Sequence, residues 1–229
     1  MENAKLGIVT IGQSPRDDLT PDLEPILGKE VQIYQAGALD DLSRGEIDGL
    51  QPEEHQYLLV TRLRDGGNVK IAKEKILPLM QDKISELEQY VNTIVLLCTG
   101  EFPGISSSSI LIKPDLVLKE NIKALVESQN GRNNTFKLGV LFPDIKQVQT
   151  MTSKWEDMNV IVEGAAGSPY EGEEDFLSGV KELTRKETDL IVLDCMGYSL
   201  HMKTFVKQYT QVPVILSRSL VFRVAAEML

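Results

Sequence analysis

Val91-Asn92-Thr93-Ile94-Val95-Leu96-Leu97-Cys98-Thr99-Gly100 and Asp189-Leu190-Ile191-Val192-Leu193-Asp194-Cys195-Met196-Gly197 are the two stretches on which the reading of this chain turns. Each is a short apolar run that ends in a cysteine, one further residue and a glycine. Such runs, rich in Val, Ile and Leu, have the pattern of a strand buried on both faces, as in a parallel sheet covered by helices. In open α/β sheets ligands collect at the carboxyl ends of the strands, and both cysteines stand there. Two thiols so placed suit the movement of a proton across a carbon centre. A cysteine that closes a core strand is also an ordinary packing residue. The repetition of one context in both halves favours function over packing.

Outward from these runs, strand and helix signals alternate. Lys5–Ile11, Glu30–Tyr34, Lys137–Phe142, Val160–Glu163, Leu190–Cys195 and Val212–Leu216 read as strands, the second closed by Gln35–Ala38. Leu19–Leu27 reads as a helix that Pro21 and Pro25 confine to short turns. Ser43–Leu50 reads as a short helix, with Ser43 as cap and Glu46 three residues later. Tyr57–Leu63 and Asn68–Ala72 flank Arg64-Asp65-Gly66-Gly67, a hairpin signal. Ile76, Met80, Ile84, Leu87 and Val91 line one face of a helix read over Lys73–Tyr90, with Pro78 placed to kink it. Further helices are expected at Leu116–Glu127, Ile145–Met158, Glu173–Arg185, Leu200–Tyr209 and Leu220–Leu229, the last capped by Ser219, with a polar break at Gln129–Thr135. Alternating βα units predict an α/β fold of two Rossmann-like lobes with mainly parallel sheets. Residues 1–110 with 217–229 are assigned to the first lobe and 111–216 to the second.

Composition narrows the function classes. A chain of 229 residues holds one large domain or two small ones. A net charge of -10 argues against nucleic acid or an anionic membrane as partner. A small anion is still compatible, because a local Arg or backbone amides can oppose the global field. No long uncharged apolar stretch predicts a membrane span. Met1–Leu6 leads directly into a strand with no signal-peptide pattern, so the cytoplasm is the default expectation. Two cysteines are not a disulfide framework, and without CxxC and with only His55 and His201 a zinc site is not expected. No GxGxxG or Walker pattern predicts a nucleotide site. Two histidines support no Ser-His-Asp set, and His201 reads as an exposed helix residue.

The loops after the strands carry the candidate chemistry. Thr99 offers a hydroxyl, and Gly100 permits close backbone approach. Exposed amides after a strand can hold a carboxylate. Cys195 precedes the helix read from Leu200, and a helix N-terminus favours the thiolate. Asp194, its neighbour in the strand, is expected on the opposite face. Gly12-Gln13-Ser14-Pro15-Arg16-Asp17-Asp18 reads either as an anion-recognition loop, with Arg16 gripping a carboxylate through two parallel hydrogen bonds, or as a Ser-Pro surface turn with a solvated Arg. Pro143 and Ser168 lie in strand-end loops suited to substrate contact, although such loops are common in α/β proteins. Gly104–Ser109 is expected to shape the loop after Cys98.

Thr10-Ile11-Gly12-Gln13-Ser14-Pro15-Arg16, Leu193-Asp194-Cys195-Met196-Gly197 and Pro213-Val214-Ile215-Leu216-Ser217-Arg218, with Ala225-Ala226-Glu227 beyond, resemble the AroM family over nearly the whole length. That family resembles the aspartate/glutamate racemase superfamily, which includes amino-acid and hydantoin racemases, maleate isomerases and arylmalonate decarboxylases. The resemblance implies two α/β lobes in a pseudo-twofold arrangement, a site in the cleft, no cofactor and no metal. It also implies that one cysteine from each lobe faces the substrate carbon, and Cys98 and Cys195 match those positions. The racemases carry Cys-Asn-Thr/Ser in the first lobe and Gly-Cys-Thr in the second. Here the runs are Cys98-Thr99-Gly100 and Asp194-Cys195-Met196, so the hydroxyl after the second cysteine is replaced by Met196.

The resulting expectation is a PLP-independent racemase or isomerase acting on a small carboxylate or other small anion. Cys98 and Cys195 are its catalytic pair. Gln13, Ser14, Arg16, Thr99, Gly100, Pro143, Ser168, Met196 and Gly197 are its candidate substrate contacts. Two alternatives stay open: a one-thiol decarboxylase or cis–trans isomerase, and a non-catalytic small-molecule binding protein on the same scaffold, linked to aromatic metabolism. Met196 favours the last. A homodimer is a compatible assembly.

Overall fold

The computed structural model describes residues 3–129 and 135–229, so most of the polar break read at Gln129–Thr135 lies outside the described residues. The chain divides into two compact units. The first runs to Pro114 and is completed by Val221–Leu229; the second is Asp115–Leu220. In chain order the first carries β1 (Lys5–Thr10), α1 (Thr20–Leu27), β2 (Gln32–Gly37), α2 (Arg44–Asp48), β3 (Leu58–Arg62), β4 (Asn68–Ala72), α3 (Lys73–Leu87), β5 (Thr93–Leu97) and β6 (Ile110–Ile112). Next come α4 (Pro114–Glu127), β7 (Lys137–Phe142), α5 (Ile145–Met151), β8 (Ile161–Ala166), α6 (Glu173–Arg185), β9 (Leu190–Leu193), α7 (Leu200–Val206) and β10 (Val214–Leu216). Helix α8 (Ser217–Ala226) begins in the second unit and ends in the first.

Each unit holds a four-stranded parallel sheet, and the two share one topology. The first has the order β2-β1-β5-β6 and the second β8-β7-β9-β10. Position by position, β1 matches β7 and β5 matches β9. In both sheets the connections leave the middle pair in opposite directions, which opens a crevice at the carboxyl ends. The loops after β1 and β5 border one crevice, and those after β7 and β9 the other. The cysteine-bearing loops therefore occupy equivalent places, each by the physics of its own sheet.

Burial explains the strands. Every residue of β5 and of β9 is buried, as a central parallel strand requires. In the first unit Ile76, Met80, Ile84 and Leu87 of α3 pack in one core with Val9, Ile94 and Leu96. In the second, Phe176, Val180 and Leu183 of α6 pack with Leu141, Ile191 and Leu193. Burying each such side chain contributes about 1.5–3 kcal/mol. Strands β3 and β4 form the expected antiparallel hairpin, and Ser43 and Glu46 form the expected capping box on α2.

Several boundaries differ from the sequence reading. Strand β2 runs through Gln35–Gly37, where a closing turn was expected, because its register on β1 extends to Thr10↔Gly37. Pro21 and Pro25 do not break α1: Pro21 lies in the first turn, where no intrahelical N–H is needed, and buried Leu23 anchors the helix. Strand β6, three residues long, carries no pattern of its own. The helix expected over Ile145–Met158 is α-helical only to Met151 and then 3-10. Helix α8 starts at Ser217, directly from β10, so Ser219 lies inside it rather than capping it.

Candidate active site

Both thiols sit in the same local cradle. Cys98 is half-buried just beyond β5, and its Sγ accepts a hydrogen bond from the Gly100 N–H at 3.4 Å. Cys195 is half-buried two residues beyond β9, and its Sγ accepts from the Gly197 N–H at 3.3 Å. The Cys-x-Gly spacing makes this contact: the chain turns within one residue and directs the glycine amide back at the sulfur. A donated N–H stabilises a charged sulfur more than a neutral one. Space is tight at both glycines as well. A Cβ on Gly100 would lie 3.2 Å from Leu59 Cδ2, and one on Gly197 would lie 2.3 Å from Tyr170 Oη.

Beside Cys98, the loop after β1 is built by polar contacts, several of them part-buried. Asp40 accepts from Ser14 N–H at 2.7 Å, Ser14 Oγ at 2.6 Å and Gly37 N–H at 2.7 Å. Arg64 closes the cluster, donating to Asp40 at 3.1 Å and to the Ser14 carbonyl at 2.6 Å. Gln13 spans the loop, accepting from Arg64 N–H at 3.0 Å and donating to the Leu39 carbonyl at 3.3 Å. Arg16 is buried and makes a two-pronged pair with Asp18, at 2.7 and 2.8 Å. The β3–β4 hairpin supports both loops: a Cβ on Gly12 would lie 2.3 Å from the Arg62 carbonyl oxygen, and Leu59 abuts Gly100. Thr99 is buried beside Cys98.

In the second unit, the loops after β8 and β9 lock together. Tyr198, fully buried, donates to the Gly167 carbonyl at 2.6 Å. Burial, with the nearby charges of Cys195 and Asp194, pushes its phenol well above the usual range. Ser168 donates its N–H to Asp175 at 2.6 Å and accepts the Tyr170 N–H at 3.1 Å, which sets the Tyr170 ring against Gly197. Met196 is buried. Asp194 makes a buried ion pair with Lys154 at 2.5 Å. Arg218, 1% exposed, donates to the Met196 carbonyl at 2.9 Å and to the Gly197 carbonyl at 3.1 Å. Pro143 is buried beyond β7, next to Asp144, which caps α5.

The structure thus gathers Gln13, Ser14 and Arg16 into one loop and Thr99 and Gly100 into the loop from the neighbouring strand. Met196 and Gly197 follow Cys195 directly, and Ser168 lies in the loop after β8, whose Tyr170 abuts Gly197. Helix α7 begins at Leu200, as expected, and Ser199 caps it by accepting the Met202 N–H at 3.2 Å. The Gly197 amide, a local donor that the sequence reading did not include, also reaches the Cys195 sulfur. His201 is exposed, 4.0 Å from Glu173. Lys154 and Asp40 escaped the sequence reading, which held Arg218 only within a family stretch and Tyr170 only within a strand-end loop, because each acts on a loop distant in sequence. Among the described residues no group of three or more His, Cys, Asp or Glu could hold a metal ion, and no helix is long and apolar enough to cross a membrane.

A family model described as AroM protein matches residues 6–229. No curated protein matches the chain in sequence. Among solved structures, the fold is similar to the maleate isomerase Iso from Pseudomonas putida S16, with a TM-score of 0.61 and 13% identity over 98% of this chain and 92% of that one. It is similar to glutamate racemase isoform RacE1 from Bacillus anthracis, with a TM-score of 0.59 and 14% identity over 100% and 82% of the two chains. It is also similar to an arylmalonate decarboxylase, with a TM-score of 0.56 and 11% identity over 98% and 91%. These likenesses establish a racemase-like fold.

Proposed function

The chain belongs to the AroM family, and on that premise we propose that it is a cofactor-independent racemase or isomerase moving a proton on the α-carbon of a small carboxylate. The observation that carries this reading is the repeated cradle: a thiol beyond the third strand of each sheet, its sulfur receiving the N–H of the glycine two residues on. One thiolate takes the α-proton, and the C–H electron pair moves into the carboxylate as an enolate. The other thiol then delivers a proton to the opposite face, so the two sulfurs exchange protonation states. Backbone amides of the cysteine loops stabilise the developing charge. Solved structures of like fold include an isomerase, a racemase and a decarboxylase, which supports this class of scaffold.

The test is proton exchange in deuterated water, followed by NMR, with both enantiomers of aspartate and glutamate, then maleate and an arylmalonate. Cys98→Ser and Cys195→Ser should each abolish inversion, because a serine hydroxyl is far too weak an acid to replace a thiol near neutral pH. Exchange should survive on the face whose thiol remains. If only Cys195 matters, the one-thiol reading replaces this one. If parent and both variants bind a carboxylate equally and turn none over, the protein is a binding protein.

A further inference from the structure

Arg218 places a guanidinium in the interior of the second unit, 1% exposed. Its Nε donates to the Met196 carbonyl at 2.9 Å, and its Nη2 to the Gly197 carbonyl at 3.1 Å. The Met196 carbonyl and the Gly197 N–H are the two ends of one planar peptide group. That same N–H donates to Cys195 Sγ at 3.3 Å. A cation, an amide and a sulfur are thus joined in one line of hydrogen bonds. We propose that Arg218 is a positioning residue that polarises the Met196–Gly197 peptide and so holds Cys195 as the thiolate.

The physical basis is the shared dipole of the amide. A positive charge on the carbonyl oxygen draws electron density along the peptide and makes its N–H a stronger donor, and hydrogen bonds in a chain reinforce one another in this way. A charged sulfur gains more from that donor than a neutral one. The fork of the guanidinium spans two successive carbonyls, which fixes the turn as well as its charge. The other charged or titratable groups around the loop have partners of their own. Asp194 is paired with Lys154, Tyr198 donates to Gly167, and Asp175 accepts the Ser168 N–H. Tyr170 brings its hydroxyl to the Gly197 side. Arg218 is the cation linked to the sulfur through a common peptide.

This inference rests on the proposed reading that Cys195 works as a thiolate, and it is tested without turnover. The full chain is alkylated with iodoacetamide across a pH series, and Cys98 and Cys195 are quantified separately by peptide mass spectrometry. Arg218→Met should raise the Cys195 midpoint by about one pH unit, so that alkylation below the midpoint slows about tenfold, while the Cys98 midpoint stays in place. Arg218→Lys keeps the charge without the fork and should shift Cys195 less, in the same direction. An unmoved Cys195 midpoint, or equal movement of both thiols, overturns the proposal. Should Arg218→Met not fold, Arg218→Gln, which keeps an N–H donor without the charge, decides by the same two outcomes. A shift confined to Cys195 with no carboxylate turned over upholds Arg218 and sinks the racemase reading; turnover without a shift does the reverse.

Discussion

Replacing Asp40 with Asn tests whether the loop after β1 is held by a carboxylate or merely by packing. The side chain is 18% exposed and accepts four hydrogen bonds, from Ser14 N–H, Ser14 Oγ, Gly37 N–H and Arg64 Nη2. Asparagine keeps the shape but turns one acceptor oxygen into an NH2. In the milder orientation the NH2 replaces Oδ2, where the Ser14 hydroxyl can rotate to accept it and the Gly37 N–H is left facing a donor. Leaving that backbone donor unsatisfied costs about 1–3 kcal/mol. The surviving bonds lose their charge assistance, which roughly halves each of them. Together these give about 3 kcal/mol, and with a urea slope of about 2–3 kcal/mol/M the midpoint falls by about 1 M. Urea unfolding followed by circular dichroism measures the shift, and hydrogen exchange should place the loss of protection in β1 and β2. A midpoint that moves by less than about 0.2 M would refute the reasoning, since it would mean that packing alone holds the loop.

Lys154→Met strands Asp194, 0% exposed, without its ion-pair partner, and should cost about 3–5 kcal/mol; fluorescence of the adjacent Trp155, the one tryptophan of the chain, follows the unfolding. Tyr198 has its folded pKa raised by burial, so its contribution is whole below the unfolded value near 10 and is lost as pH rises through the folded value. Stability should fall steeply above about pH 10, and Tyr198→Phe should flatten that fall while costing about 1 kcal/mol at neutral pH for the lost bond to Gly167. His201→Ala should change stability by less than about 0.5 kcal/mol and leave proton exchange unaltered, because the ring is solvent-exposed.

What the sequence made legible is what periodicity and local chemistry encode. The central strands announce themselves because both faces are buried, and this placed Cys98 and Cys195 at strand ends without a structure. The hairpin at Arg64–Gly67 and the cap at Ser43 are equally local. Strand β2 was misplaced because Gln35–Gly37 is polar and small, and only its pairing with β1 makes it a strand. Ile110–Ile112 was invisible because its partner on β5, and not its own three residues, defines it. The supports of the site are long-range in the same sense. Arg218 reaches a peptide 21 to 22 positions back, and Ser14 reaches Asp40 across 26. No window along the chain holds both partners. The loop of Ser14 and Arg16 shows the point most clearly: residue types that suit anion recognition are joined to Asp40 and Asp18 within the chain itself.

Ribosomes release a chain from its N-terminus onward, and here that order runs against the architecture. The second unit, Asp115–Leu220, is an unbroken stretch and can close as soon as it has emerged. The first unit, although made earlier, needs Val221–Leu229 to complete it. That segment supplies Val221, Phe222 and Ala225, all fully buried in the finished protein. The half translated first is therefore the half that finishes last. Throughout synthesis of the second unit, the waiting half shows its uncovered apolar surface to the cell. A nascent chain paused anywhere in the second unit would be a client for a holding chaperone until Val221–Leu229 has been made.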